Sequence, residues 1–461
     1  MRKGILGSIP ALLAGAGLAL AQSPPAPSAA PPAMQPAPVR NLTPVDPLFG
    51  SPAVPSLPMP IFRGAYDPDN AFDEGPPEPI HDNAFIKADE PCDNCHPLFW
   101  ANGEFLYWAV RNSKLPPVLT TATSGGTGAL GGSDTTVLYG GSGTKIAPSA
   151  RPGGRGAIGW WLEPYVGIPI GFEIGGFVLA ERSNSFQTSS DANGNPVLSR
   201  PFINAITGTP SAYFVSLPGA SAGSFQALSN SVLYNVDFTT IIQPGQVNEY
   251  PDFLVGFRYL NLNENIGLGN QSTLLANGLS AFPPGQIVGP GNMLTLTDSF
   301  QNSNTFYGLN LGARSRFTSG RIYGDLAAKI AVGATQEVSR ISGTSTLTTP
   351  TGVSTTVPGG LLALSSNTLN STRYDFAVVP EGNANLGFYV NRFIDIHIGY
   401  TFLYWSKVQR PTQLMDQRVN PTLVPTSVTF GTPTPPNQPL LPFHASGYWA
   451  QGLSAGVSVR Y

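Results

Sequence analysis

The sequence predicts an all-β fold: a transmembrane antiparallel up-and-down β-barrel of about ten strands, with about twelve as the upper count, preceded by a disordered Pro-rich N-terminal segment. Three observations lead there. Charged residues make up only 11% of the 461 residues, against about 25% in ordinary globular domains, too few to cover a water-facing surface of matching size. Long stretches alternate apolar and polar residues with period two, so each carries one apolar and one polar face. The links between these stretches alternate in length: EPYVGIP, QPGQ, FTSGR and NRF are short, whereas 112–154, 184–228 and 408–445 are long and rich in Gly, Ser, Thr and Pro. Short turns on one rim and long loops on the other are the pattern of a membrane barrel.

The N-terminal end reads as export machinery. Arg2 and Lys3 precede an apolar stretch from Ile5 to Leu20, and Ala19-Leu20-Ala21 offers a cleavage site, so residues 1–21 are expected to be a signal peptide. Pro10 and several small residues interrupt the stretch, which falls short of the roughly 20 apolar residues of a membrane anchor. Beyond it no run of about 18 apolar residues occurs, so no transmembrane helix is available. Residues 22–96 are expected to form a periplasmic segment, first Pro- and Ala-rich with polyproline character and then acidic from Tyr66 to Asp93, with DNAF occurring twice.

This segment ends in CDNCH, Cys92 to His96, which holds both cysteines of the chain and matches the haem-attachment pattern C-x-x-C-H. The compartment suits haem and a disulfide equally. Haem would want an apolar pocket and a second axial ligand, yet His81 and Met59, the nearest candidates, lie in low-complexity coil. A zinc site from Cys92, Cys95, His96 and His81 is a further alternative. The first expectation is a Cys92–Cys95 disulfide at the barrel entrance, with no cofactor and no metal.

Strands are expected near 99–111, 155–164, 168–183, 229–241, 249–263, 296–317, 321–342, 373–391, 393–408 and 446–461, in a barrel domain of 97–461. In the third, Ile170, Phe172, Ile174 and Val178 oppose Glu173, Gly175 and Glu181; in the fifth, Phe253, Val255, Phe257 and Tyr259 oppose Gly256 and Arg258. Tyr307, Leu309, Leu311 and Ala313 oppose Asn310, Arg314 and Arg316 in the sixth, and Ile322, Leu326, Ile330 and Val332 oppose Asp325, Lys329 and Glu337 in the seventh. Ile394, Ile396, Ile398 and Tyr400 oppose Asp395 and His397 in the ninth, and Leu453, Val457 and Val459 oppose Ser454 and Arg460 in the tenth. Backbone polar groups in hydrocarbon must pair within the structure, so such strands survive there only as a closed barrel with the apolar face toward lipid. The pairs Tyr107-Trp108, Trp160-Trp161, Tyr404-Trp405 and Tyr448-Trp449 lie near strand ends, where interfacial belts form. A soluble β-sandwich also alternates, but its strands run to about 5–6 residues, and its outward face would be rich in Lys, Glu and Thr rather than Gly and Ser.

The lumen of a ten-strand barrel is narrow or plugged, since about eight strands are just filled by side chains and sixteen leave a channel. Lumen-lining candidates are Glu104, Glu173, Arg258, Arg314, Arg316, Asp325, Lys329, Asp375, Asp395, His397 and Arg460, with Glu163, Glu181, Glu337, Glu381 and Lys407 as further inward charges. They can pair across the interior and hold the wall, or form a constriction that selects small solutes by size and sign. Their mixed signs argue against strong ion selectivity. An outer-membrane hydrolase is a rival class: His397 lies two residues from Asp395 on one face, although a lone His–Asp pair is more often a satisfied polar contact. No enzyme activity is expected. A third class, a structural or adhesive surface barrel with a plugged lumen, is carried by the long loops. The net charge of −3 and pI near 5.8 give no hint of nucleic-acid binding.

SRPFIN (Ser199 to Asn204), DFLVGFRYLNLNENI (Asp252 to Ile266), SFQNSNTFYGLNLG (Ser299 to Gly312), KIAVGATQEVSRISG (Lys329 to Gly343), GLLALSSN (Gly360 to Asn367), FAVVPEGNANLGF (Phe376 to Phe388), GYTFLYWSKVQRP (Gly399 to Pro411) and WAQGLSAGVSVRY at the end form an ordered set. As a set they resemble the putative β-barrel porin-7 family of bacterial outer-membrane proteins, over about Phe99 to Tyr461. The resemblance implies a porin of the outer membrane, with the lipid bilayer and small solutes as partners and the N-terminal segment in the periplasm. Terminal Tyr461 looks like the aromatic signal read by the barrel assembly machinery.

Overall fold

The computed structural model describes residues 98–461 apart from 124, 144, 147–149, 163–168, 245–249, 284, 433 and 443. The signal and Pro-rich segments, Cys92, Cys95, His96 and Glu163 lie outside the described residues. Ten strands form one closed sheet: β1 (Phe99–Val110), β2 (Arg151–Leu162), β3 (Ile170–Ser189), β4 (Ser221–Ile242), β5 (Asp252–Leu274), β6 (Met293–Ser319), β7 (Ile322–Thr348), β8 (Leu369–Tyr389), β9 (Ile394–Val408) and β10 (Ser446–Arg460). Each pairs antiparallel with its sequence neighbours, and β10 closes on β1 from Ala450↔Val110 to Arg460↔Trp100. Closure pairs the edges that an open sheet would leave bare.

The outer face carries the apolar alternation. Phe105, Ile158, Val178, Phe238, Phe257, Leu309, Leu326, Phe376, Ile398 and Leu453, one from each strand, are exposed. A continuous belt of this kind is far larger than the apolar patches of a few hundred Å² on soluble monomers. Its upper border is a row of tyrosines: the rings of Tyr234 and Tyr259 lie 6.0 Å apart, and those of Tyr259 and Tyr307 5.4 Å apart.

Above that row the strands continue, but the alternation inverts. On β7 the outward positions become Ser342, Thr344 and Thr346, while Ile341 and Leu347 turn inward and are buried. The same holds for Phe225 and Ala227 on β4, Ile266 and Leu268 on β5, and Leu296 and Phe300 on β6. For this reason β3, β4, β5 and β7 run beyond the bounds expected from apolar-outward patterning: above the belt the wall obeys the polar-out rule of a water-soluble sheet.

The long loops fold into the space so created. A five-stranded cap sheet is built around Val197–Asn204, flanked by Leu119–Ala122 with Thr135–Tyr139, by Pro210–Ser216 and by Arg418–Val419. Leu119, Leu198, Phe202, Val215, Leu361, Leu364, Leu414 and Val419 from the loops pack with Phe225, Leu268, Leu296, Phe300 and Ile341 of the wall in one core.

One seam interrupts the wall. β8 pairs with β9 only from Glu381↔Leu403 to Tyr389↔Asp395, and among the described residues Leu369–Pro380 is laddered to β7 alone. Pro380 has no N–H to donate and sits where the ladder ends. Two residues up, the Val378 N–H donates to the Ser406 hydroxyl at 2.9 Å in place of a backbone carbonyl.

Candidate functional site

The lumen is the site to which the sequence assigned function, and its contents follow from strand parity. Inward positions in the lower third are charged. Arg460 donates to Asp395 at 2.6 Å, and Tyr323 donates to the other oxygen of the same carboxylate. His397 lies between Asp395 (3.7 Å) and Glu104 (3.6 Å), and Arg155 reaches Glu104 at 3.7 Å and the Thr401 hydroxyl at 2.7 Å. Arg316 pairs with Asp325 at 3.0 Å, Arg314 with Asp252 at 2.9 Å, and Trp100 donates to Glu173 at 3.1 Å.

Above these, Arg258 is wholly buried and spans the bore. Its guanidinium makes two 2.8 Å bonds to Asp237 on the neighbouring strand and one of 2.6 Å to Glu381 on β8. Lys329 is the direct partner of Glu381 on β7, and Asp375 pairs with Arg373 at 3.1 Å on β8.

The next layer is apolar. Trp108, Phe306, Trp405 and Tyr448 have no exposed surface, and Leu106, Leu233, Leu260, Leu403 and Val408 fill the space between them. Trp405 donates its indole N–H to Thr335 at 2.8 Å. Just above, the chain leaving β9 turns into the bore: Gln409 and Asn304 exchange bonds of 2.8 and 2.9 Å, and Arg410 binds Glu264, with its Nη2 donating to Oε1 at 2.5 Å. The cap closes the top. Arg200 of the cap sheet donates to Asp298 of β6 at 2.7 Å, both side chains being buried, and the other oxygen of Asp298 accepts the backbone N–H groups of Leu361, Leu362 and Ala363 at 2.8–3.0 Å. Gly360 permits this, since a Cβ there would stand 2.2 Å from that oxygen.

All eleven lumen candidates thus sit on inward-facing positions, nearly all in ion pairs. Two further expected inward charges do not. Glu181 and Lys407 are exposed, because bulges between Leu179 and Arg182 and between Trp405 and Val408 each add one residue and reverse the parity. The aromatic pairs are likewise split. Trp108, Trp405 and Tyr448 are interior rather than interfacial, since adjacent residues point to opposite faces, and Trp100 meets Trp161 inside while Trp160 meets Phe172 outside. Arg151, Arg200, Asp298, Glu264 and Arg410 were missed. All belong to the upper lumen or cap, and the only signal was that Arg200, Glu264 and Arg410 lie within the family-like runs.

His397 and Asp395 are 7% and 1% exposed. Both face charged partners on several strands, and a Cβ at Gly456 would already meet His397 at 2.8 Å. The imidazole is an inner member of an ion-pair network.

The family model described as Putative beta barrel porin-7 matches residues 100–461. Among solved structures, the outer membrane protease OmpT from Escherichia coli is similar at 9% identity and a TM-score of 0.30, over 79% of this chain and 96% of that one. The P. putida toluene transporter TodX is similar at 9% identity and a TM-score of 0.17, over 79% of this chain and 90% of that one. At such scores neither likeness bears on function. No curated protein matches the chain.

Proposed function

The chain belongs to the beta barrel porin-7 family, and from that premise we propose an outer-membrane barrel that is closed at rest by its own side chains and works through its folded cap of long loops. The supporting observation is the apolar layer, in which Trp108, Phe306, Trp405 and Tyr448 reach inward from four strands with no exposed surface. A water path would need an aqueous bore, and ten strands leave little room for one. Lipid surrounds the apolar belt, the long-loop end faces the outside, the N-terminal segment lies in the periplasm, and the C-terminal strand with Tyr461 is presented to the assembly machinery.

In planar bilayers the protein is expected to give no single-channel steps, and steady steps from the wild type would overturn the closed-lumen reading. Ser454→Cys gives an independent check. Ser454 faces inward and is 5% exposed, so a water-soluble maleimide leaves the thiol unmodified in the folded protein, whereas an open bore would let it react. The second reading, passage of small solutes, is favoured by one observation: the cap sheet is separate from the barrel sheet and meets the wall through side-chain packing and polar bonds such as Arg200–Asp298, so it can move as a unit. It expects steps once those bonds are removed.

A further inference from the structure

On β4 to β7, just above the tyrosine row, the outer wall holds a groove of about 570 Å³. Two cross-strand rungs line it. Asn230, Asn265, Gln301 and Arg340 are successive partners across the four strands, and Val232, Asn263, Ser303 and Val338 form the rung below. All eight point away from the lumen, by the same parity that turns Glu264 and Asn302 inward. Glu181, the residue turned outward by the bulge of β3, stands at one end.

The height of the groove dictates what meets it. Directly beneath lie Tyr234, Tyr259 and Tyr307, and beneath those the outward residues are mainly apolar on all four strands. If lipid surrounds the belt, as the proposed function holds, its headgroups occupy this first polar layer. The chemistry of the rungs then selects among headgroups. Phosphate recognition uses clustered Arg and Lys, yet the outward side chains of this groove include one cation, Arg340, and one anion, Glu181, among amides, the Ser303 hydroxyl and two valines, and the inward-turned Ser231, Glu264 and Asn302 border it as well. Amides offer both donors and acceptors, repeated at the strand spacing of about 4.8 Å.

Such a row can both donate to and accept from a hydroxyl-rich group, which an acyl chain or a choline cannot match.

We propose that this groove docks the sugar-bearing headgroup of a lipid in the surrounding leaflet. The inference rests on the outer-membrane reading, and its test separates the two. The full protein is folded into nanodiscs of phosphatidylcholine containing a minor fraction of either digalactosyl diacylglycerol or phosphatidylglycerol, and the lipids retained on release are read by native mass spectrometry. The wild type is expected to retain the galactolipid several-fold above its share, and Asn265→Ala with Gln301→Ala to bring it back to its share. Ser303→Trp, which fills the groove from a surface position, does the same without removing an amide. Galactolipid retained no more than its share, or unchanged by both variants, overturns the inference. Stronger retention of phosphatidylglycerol that is lost with Arg340→Ala overturns it in favour of phosphate recognition, and equal displacement by free digalactoside overturns the lipid as source. A protein that enters no disc overturns the membrane reading first; one that enters and retains no galactolipid overturns this inference alone.

Discussion

Arg258→Met lowers the stability of the folded barrel by about 3–5 kcal/mol, read as a lower urea midpoint in lipid and a lower temperature for the heat-dependent gel shift. Arg258 is entirely buried and joins Asp237 to Glu381 across the bore, with Lys329 the cross-strand neighbour of Glu381. Methionine matches much of its volume, so the loss is electrostatic: two carboxylates, 14% and 12% exposed, remain in a poorly solvated interior. The triple variant Arg258→Met, Asp237→Asn, Glu381→Gln is expected to recover most of the loss, because a buried ion pair removed whole costs much less than one broken. A single variant as stable as the wild type would mean that water reaches this layer, which would also weaken the closed-lumen reading.

Asp298→Ala acts on the cap. It leaves Arg200 unpaired at 1% exposure and frees three backbone donors of residues 361–363, a local cost of at least about 3–5 kcal/mol. Because these bonds join the loops to the wall and not strand to strand, the expected result is local opening: limited proteolysis within 190–220 and 349–368 accelerates by orders of magnitude while the barrel keeps its gel shift. Conductance separates the two functional readings. It stays silent if the Trp108–Trp405 layer closes the bore independently, and it appears if the cap is the gate. Loss of the gel shift together with the cap would show that cap and barrel fold as one unit.

The strand count and the lipid-facing surface were legible in the sequence because both depend on parity alone, as Leu453 against Ser454 illustrates. Two kinds of feature were not. Bulges change parity without a composition signal, so Glu181 and Lys407 were assigned to the wrong face. The upper wall was cut short because its apolar residues face inward there, as Ile341 and Leu347 do, and a pattern sought with one polarity fades where the solvent changes. The cap site escaped for a third reason: Arg200 and Asp298 are 98 positions apart, and nothing local in SRPFIN or TLTDSF announces that one will bury the other. The inward charges were found in kind but not in pairing, since which carboxylate meets Arg258 depends on strands three places apart around the barrel.

The seam at Pro380 has a mechanical meaning. Below it the ten strands form a hoop, whose circumference is fixed by continuous ladders and cannot change without breaking many hydrogen bonds together. Above it, where the ladder to β9 has ended and the Val378 N–H donates to the Ser406 hydroxyl in its place, the wall is a split cuff. A cuff takes its bore from what it is wrapped around, so the packing of the cap sets the width of the mouth while the rest of the barrel stays rigid.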